Sequence, residues 1–358
     1  MSEPIQLNIY FNHQNYPLET FADESLETLS AQIESITNIQ SCYQTLLIET
    51  YYLPLDMTQQ LSTYHIKSGQ TIVVLGSNKV AADPKQKLSE VQLEKIQESY
   101  FSKHPLGLEN QLNFCYLISS VQALFSLKPV QAQVNEKLIS EEPHLLKLKE
   151  LFTGLQEKTN PKITAFSVPF VKKFEQFQNV KEQHDAQEAL SCLETNLVQN
   201  GVENMFEVIT DKETMQFLPL QIKPEFTSVN DSVQNLLGDS KIVKLPKILQ
   251  MHLLRYAFDE ETKKPQKLSR KLQFQIKMVL NEFLASPQES KTYNLKAVIA
   301  HQGLSPDSGH YTCYARHGKK WFCFNDASVQ VVEEEAVYAL AGGDSMGFLA
   351  YVLIYEAE

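Results

Sequence analysis

The sequence predicts an α+β chain in two parts, a small strand-and-helix unit followed by a larger body. Three observations carry this. Residues 1–77 pair short apolar strands with one amphipathic helical stretch, and hold one basic residue, Lys67, against eight acidic ones. Residues 78–104 are polar and charged, and read as a linker. Residues 105–358 begin with helical periodicity and end in strand patterns. The whole, 358 residues with 43% hydrophobic and 21% charged, has the composition of a soluble globular protein of two domains.

In the first unit, residues 5–12 alternate apolar and polar as a half-buried strand does. Leu26, Leu29, Ile33 and Ile36 line one face of a helix, for which Asp23 and Ser25 are both plausible N-caps. Leu46-Leu47-Ile48 and Ile72-Val73-Val74-Leu75 read as further strands. With Ile72 and Val74 facing the core, Val73 and Leu75 face out beside Leu47. The unit's net charge of −7, out of −11 for the chain, suits either a solubilising surface or attraction to a basic partner. The linker leads into a helix expected from Leu88 to Tyr100.

The larger body opens on Gly107-Leu108-Glu109-Asn110-Gln111-Leu112-Asn113-Phe114-Cys115-Tyr116, a polar approach that delivers one cysteine to a helix start. Leu117, Val121 and Leu124 give that helix a buried face. Unpaired N–H groups and the positive dipole end there favour thiolate over thiol. Residues 144–200 are mostly helical by pattern and contain Gln183-His184-Asp185-Ala186-Gln187-Glu188, an acidic helix start. Residues 203–258 turn towards strand, and Asp259–Pro265 is a charged loop. Tyr293, Leu295, Ala297 and Ile299 share one face of a strand by alternation. The apolar run Phe348–Tyr355 suits a central strand.

His310 opens another strand after a flexible loop, Gly303–Gly309. A His317-Gly318-Lys319-Lys320 turn makes a hairpin with Trp321–Asp326. If Arg316 pairs with Trp321, Thr312 faces Asn325, and Asn325 is the diagonal neighbour of His310 on one face. The same register sends Cys313 and Cys323 to opposite faces, against a disulfide between them. Cys115, His310 and Asn325 together form a Cys-His-Asn constellation for nucleophilic catalysis. Five cysteines without a CxxC pair favour neither zinc nor a disulfide framework, and point to a reducing compartment. No run of 18 apolar residues, basic n-region or basic face suggests a membrane span, a secretory signal or nucleic-acid binding.

Gly107-Leu108, Asn110, Asn113, Cys115-Tyr116 and Ser119 together resemble the cysteine box of the ubiquitin-specific proteases. Gly309-His310-Tyr311, then Trp321 and Phe324-Asn325-Asp326, resemble the family's histidine box. The Gln183–Glu188 and Leu245–Tyr256 segments match two further family boxes, with His184 where the family has Gln. Residues 1–77 resemble a ubiquitin-like β-grasp domain, as found before the protease of the family's proteasome-associated member.

The resemblance implies a papain-like fold of thumb, palm and zinc-free fingers over 105–358, with no metal or organic cofactor. It implies Cys115 as nucleophile, His310 as general base, Asn325 as orienter and Asn110 as oxyanion donor, with Asp326 and Asn113 in support. Asp185, Gln183, Gly309 and Tyr311 would meet the ubiquitin tail. Leu47, Val73 and Leu75 would dock on the 26S proteasome regulatory particle, at its scaffold subunit and ATPase ring, and place the protein in cytoplasm and nucleus. The expected partners are thus ubiquitin, ubiquitinated proteins and the proteasome.

Leu112, Phe114 and Ile118 depart from the family's Gly, Thr and Asn. Leu112 is expected to stiffen or reshape the turn, Phe114 to cover part of the cleft, and activity to stay low until a partner reorganises the site. The Gly303–Gly309 and Asp259–Pro265 loops are candidate lids. The alternative is a weak or inactive ubiquitin receptor that regulates the proteasome.

Overall fold

Ile5, Leu7 and Ile9 alternate with polar residues, and the computed structural model places them on the buried face of strand β1, Pro4–Phe11. The structure describes residues 4–11, 14–37, 39, 41, 44–48, 51–52, 60–64, 66–75, 105–138, 140–159, 161–259, 264–305, 308–343 and 347–358. The expected linker 78–104, with its helix from Leu88 to Tyr100, lies outside them. The chain divides into two units, Met1–Lys103 and His104–Glu358.

In the first unit β1 pairs antiparallel with β2 (Gln14–Phe21) and parallel with β5 (Thr71–Leu75). With β3 (Thr45–Ile48) and β4 (Tyr51–Tyr52) the sheet runs β2-β1-β5-β3-β4. Helix α1 (Leu26–Thr37) buries Leu26, Leu29 and Ile33 in the same core as Ile72 and Val74. Ser25 supplies a cap, its Oγ accepting from the Thr28 N–H at 3.2 Å. Leu47 pairs with Val73 across β3 and β5, and Val73 is half-buried on the face away from the core. The side chains of Leu47 and Leu75 lie outside the described residues.

The second unit begins with helix α2, Cys115–Ser126. All twelve of its residues are buried, not one face only, because sheet and helices enclose it on every side. Some of its polar side chains are held internally: Ser120 Oγ donates to the Ala186 carbonyl at 2.9 Å and Gln122 Nε2 to that of Leu106 at 2.9 Å, while Gln122 Oε1 and the Tyr116 hydroxyl are buried without a partner. Around it pack α3 (Lys128–Glu136), α4 (Pro143–Glu157), α5 (Ile163–Lys173) and α6 (Ala186–Gln199).

A small sheet of β6 (Val208–Thr210), β7 (Thr214–Met215) and β9 (Ile242–Lys244) follows, with β8 (Leu218–Gln221) joining the large sheet. Helix α7, Val229–Leu237, interrupts the strand region. It is signalled by the Ser228-to-Asp231 capping box ahead of Val229, Val233 and Leu237, a signal the strand reading passed over.

The large sheet is ordered β17-β16-β15-β14-β18-β10-β8. Its strands are β10 (Ile248–Leu254), β14 (Thr292–Ser305), β15 (Ser308–His317), β16 (Lys320–Asn325), β17 (Ser328–Val332) and β18 (Leu349–Ala357), with β13 (Lys277–Val279) on β14. β18 lies centrally with a core on each face: Tyr351, Val352 and Ile354 on the α2 side, Ala350, Leu353 and Tyr355 on the other. The alternation along β14 is broken. A bulge against β18 between Leu295 and Ala297 sends Tyr293 and Leu295 to one core, Ala297 and Ile299 to the other.

Two segments expected as loops are strands. Gly303–Ser305 and Ser308–Gly309 extend the β14–β15 hairpin, with a bulge after Gln302, and 306–307 lie outside the described residues. Asp259 ends β11 (Tyr256–Asp259) and pairs with Lys264 of β12 (Lys264–Lys267); 260–263 are likewise not described. Arg255, just before β11, is buried. Its guanidinium donates to the carbonyls of Ala350, Leu268, Arg270 and Ala341, so backbone oxygens disperse the charge, and no carboxylate among the described residues pairs with it. Helix α8, Glu334–Ala339, completes the unit.

Candidate active site

The approach to Cys115 is folded by one side chain. Asn110 Oδ1 accepts from the N–H of Leu112 at 3.3 Å and of Phe114 at 3.1 Å, closing the chain into a turn ahead of α2. The turn is fastened to the β16–β17 connection. Asn110 Nδ2 donates to Asp326 Oδ2 at 3.1 Å, and the Leu108 N–H to the Asp326 carbonyl at 2.9 Å. A Cβ on Gly107 would come within 2.4 Å of the Ala327 carbonyl oxygen, so this close approach requires glycine. Asp326 itself adopts φ +52°, a left-handed conformation that Asp tolerates. Asn113 Nδ2 fastens the other side, to the Lys181 carbonyl at 2.9 Å.

His310 Nε2 lies 2.7 Å from Asn325 Oδ1, and 3.8 Å from Asp326 Oδ2. An amide oxygen can only accept, so Nε2 carries the proton and Nδ1 keeps its lone pair free. The hairpin register behind this contact is Arg316 on Trp321 and Cys313 on Phe324, the pairing read from the turn. Cys313 and Cys323 are free thiols. The neighbouring backbone at Tyr311 hydrogen-bonds the Cys115 thiol, which brings the start of β15 onto the cysteine.

The thiol is not the thiolate that a helix start alone favours. Burial pushes Cys115 up to about 11, and the Asp326 carboxylate adds to the effect, while the backbone hydrogen bonds at Tyr311 and Tyr116 pull it down. Desolvation wins because Cys115 is only 3% exposed, and among the described residues no cation stands beside it to stabilise the anion. Asp326 is raised by its own burial, against the pull of His310 and Asn110.

Other anticipated binding residues are engaged within the chain. Asp185 caps α6, its Oδ1 accepting from Gln187 N at 2.7 Å and Glu188 N at 3.1 Å, while Oδ2 accepts from the Tyr351 hydroxyl. The Tyr311 ring is buried, 4.5 Å from the His301 ring and 5.7 Å from that of Tyr351, so it supports the site from beneath. Gln183 Nε2 donates to the Gly309 carbonyl, leaving its buried Oε1 as an acceptor without a partner. Gly309 has φ +145°, and a Cβ there would meet the Gln302 carbonyl oxygen at 2.1 Å and His301 Nε2 at 2.6 Å.

His301 is a residue that the sequence reading missed. It is buried under Gly309, with Nδ1 2.8 Å from the Tyr256 hydroxyl, and burial pushes it down to about 3. Lys267 donates to its carbonyl at 2.9 Å and is lowered to about 8 by burial and by Arg255. No spacing in the sequence ties residues 256, 267 and 301 together; three strands do.

The departures from the family pattern have plain outcomes. Leu112 is 54% exposed and does not take the positive φ that would demand glycine. Phe114 is buried, 6.4 Å from the Tyr116 ring. Ile118 is a core residue of α2. Among the described residues no three His, Cys, Asp or Glu side chains are grouped to hold a metal.

A buried thiol at a helix start, against a strand whose imidazole is held by an amide oxygen, is the arrangement of a thiol hydrolase. Residues 106–355 match the ubiquitin carboxyl-terminal hydrolase family, and the chain belongs to it: it is a cysteine-type deubiquitinase. It is similar to ubiquitin carboxyl-terminal hydrolase 14 of Caenorhabditis elegans, 24% identical over 98% of this chain and 93% of that one. Human ubiquitin carboxyl-terminal hydrolase 3 is 35% identical over a shorter match, 32% of this chain and 21% of that one. A solved SAGA DUB module bound to monoubiquitin shares the fold, with a TM-score of 0.60 and 17% identity over 76% of each chain.

Proposed function

We propose that this protein removes ubiquitin from substrates held at the proteasome, hydrolysing the isopeptide bond at the ubiquitin C-terminal glycine. The observation that carries the chemistry is the joint placement of the His310–Asn325 contact at 2.7 Å and the Tyr311 backbone on the Cys115 thiol. Cys115 gives its proton to His310 Nδ1 and attacks the glycine carbonyl. The tetrahedral oxyanion is met by the Cys115 N–H and by Asn110, whose amide must turn part of its donor capacity from Asp326. The lysine amine leaves with the proton from His310, and water hydrolyses the thioester. Asp326 and Asn113 support the site by holding the loop that carries Asn110 and Cys115. The buried Gln183 Oε1, beside Gly309, is a free acceptor for a peptide N–H of the ubiquitin tail.

Ionising Cys115 at pH 7 from about 11 costs roughly 5 kcal/mol, at about 1.36 kcal/mol per decade. A bound tail or partner that shields the thiol from Asp326 and orders His310 would lower that cost. The same resting state favours a second reading: a weak hydrolase that acts chiefly as ubiquitin receptor and proteasome regulator.

The first unit, with one helix on a sheet ordered β2-β1-β5-β3-β4, supports a ubiquitin-like β-grasp domain that docks on the regulatory particle through Leu47, Val73 and Leu75. Ubiquitin bearing a C-terminal electrophile, offered with and without proteasome, tests the chemistry; no adduct at Cys115 in either case would refute catalysis. Leu47→Glu with Val73→Glu tests docking: co-sedimentation with the proteasome is lost and thiol reactivity kept. Unchanged co-sedimentation would remove that patch from the proposal.

A further inference from the structure

Glu194, on the face of α6 that meets the sheet, is wholly buried. Its Oε1 accepts from Gln250 Nε2 of β10, and its Oε2 from Gln216 Nε2 at 3.0 Å. Among the described residues no cation accompanies it. The side chains around it are either neutral or turned elsewhere. On α6 itself Asp185 is taken up by the helix cap and Tyr351, and Glu188 interacts with His184 and Asp185. On β10, His252 packs against Tyr351 and Phe217. On β18 the Tyr351 and Tyr355 hydroxyls serve Asp185 and the Gln275 carbonyl. On α4, His144 pairs with Glu142, and on α2, Tyr116 packs on Phe177 and His184. A carboxylate in such a place would be a charge taken from water with nothing to offset it.

One further atom points the same way. Gln250 Oε1 is buried and has no hydrogen-bond donor, although its own amide nitrogen touches the carboxyl. A carboxyl group that keeps its proton supplies a donor to that carbonyl, directly or after a half-turn of the amide. Gln250 pairs with Ile354 of β18, the strand whose Tyr351 holds Asp185. Helix α6 is therefore tied to one pair of strands at two points, Asp185 and Glu194, about 13 Å apart along its axis at ~1.5 Å per residue.

We propose that Glu194 is a positioning residue for ubiquitin hydrolysis: carrying its proton, it bonds α6 to β10 through Gln250 and fixes the Gln183–Asp185 segment beside Gly309 and His310. Burial likewise pushes the Glu194 carboxyl up to about 8. Above that pH the ionised carboxylate, though still met by the Gln250 and Gln216 amides, is a buried charge without a counter-ion, so the seat of α6 on β10 opens towards water and the cleft lined by Gln183 loosens. The inference rests on the deubiquitinase reading for its ubiquitin-binding half.

The test uses the full chain, with E194Q and E194A. Adduct formation at Cys115 with ubiquitin bearing a C-terminal electrophile is resolved into KI and kinact between about pH 6.5 and 9.5, and thermal midpoints are taken in the same buffers. Wild-type KI rises up to about thirty-fold from pH 7 to 9.5, the ratio of protonated fractions for a group titrating near 8. E194Q, an uncharged isostere, shows only the smaller change that Lys267, beside His301 and lowered to about 8, brings to both proteins, while kinact follows one profile in both. The wild-type midpoint falls over the same range and that of E194Q does not. Equal alkaline rises in KI, equal falls in midpoint, or an E194Q as impaired at pH 7 as E194A would each overturn the proposal. Wild type that forms no adduct at any pH would refute the ubiquitin reading itself, and the midpoints would still decide whether the proton ties α6 down.

Discussion

Asn325→Ala is the most direct probe of the site, because it removes one contact and leaves the thiol in place. The amide oxygen sits 2.7 Å from His310 Nε2, and becomes the partner of a charged group once the imidazole takes the thiol proton. Hydrogen bonds to charged groups contribute about 1.5–3 kcal/mol. Asn325 is exposed and the His310 side chain is 32% exposed, so water competes and the lower end applies. A loss of about 1.5 kcal/mol is roughly ten-fold in rate. Cleavage of a fluorogenic ubiquitin amide should therefore fall about ten-fold in kcat with little change in KM, since the contact strengthens only as charge develops. Asn325→Asp, which keeps the acceptor, should retain most of the rate but move the acid limb of activity to higher pH, because a carboxylate favours the imidazolium, which cannot act as base. A rate for Asn325→Ala within two-fold of wild type would refute the assignment of Asn325 as orienter.

Gly309→Ala should abolish adduct formation, because a Cβ 2.1 Å from the Gln302 carbonyl displaces the start of β15; preserved reactivity with ordered circular dichroism would contradict this. Alkylation of Cys115 in the free protein, followed by mass spectrometry, should climb about ten-fold per pH unit well past pH 9, because the buried thiol ionises near 11; a plateau by pH 8 would be inconsistent with it. Glu194 holds its proton in the folded chain up to about 8, far above its unfolded value. It therefore contributes stability that is full below about pH 4.5 and lost as pH rises through 8, at most about 5 kcal/mol. Denaturant midpoints of wild type minus E194Q should show this negative slope, and a flat difference would refute it. Leu112→Gly, at an exposed position without positive φ, should change stability by less than about 0.5 kcal/mol, as measured by urea unfolding.

Much of the site was legible in the chain because its parts are local. The hairpin register follows from one turn, Gly318 between Arg316 and Trp321, and a period of two then carries Asn325 to the side of His310 without knowledge of the rest of the fold. The buried strand faces of the first unit follow from alternation in the same way, as Ile72 and Val74 show. Alternation failed in β14, where a bulge between Leu295 and Ala297 shifts the parity, and bulges leave no mark in hydrophobic pattern alone.

The candidate reacting residues, then, were legible in the sequence: a cysteine at a helix start, a histidine after glycine, an asparagine across a hairpin. Their state was decided by tertiary structure. Whether Cys115 is thiol or thiolate depends on how much water α2 loses when sheet and helices close around it, and on Asp326, 211 positions away along the chain. Asp185 could be read as an exposed acidic helix start, but the Tyr351 hydroxyl that occupies it comes from the last strand. Glu194 stands on α6 like any helical glutamate until β10 covers it. Charge and solvation depend on everything within several ångströms, and only the fold brings those atoms together.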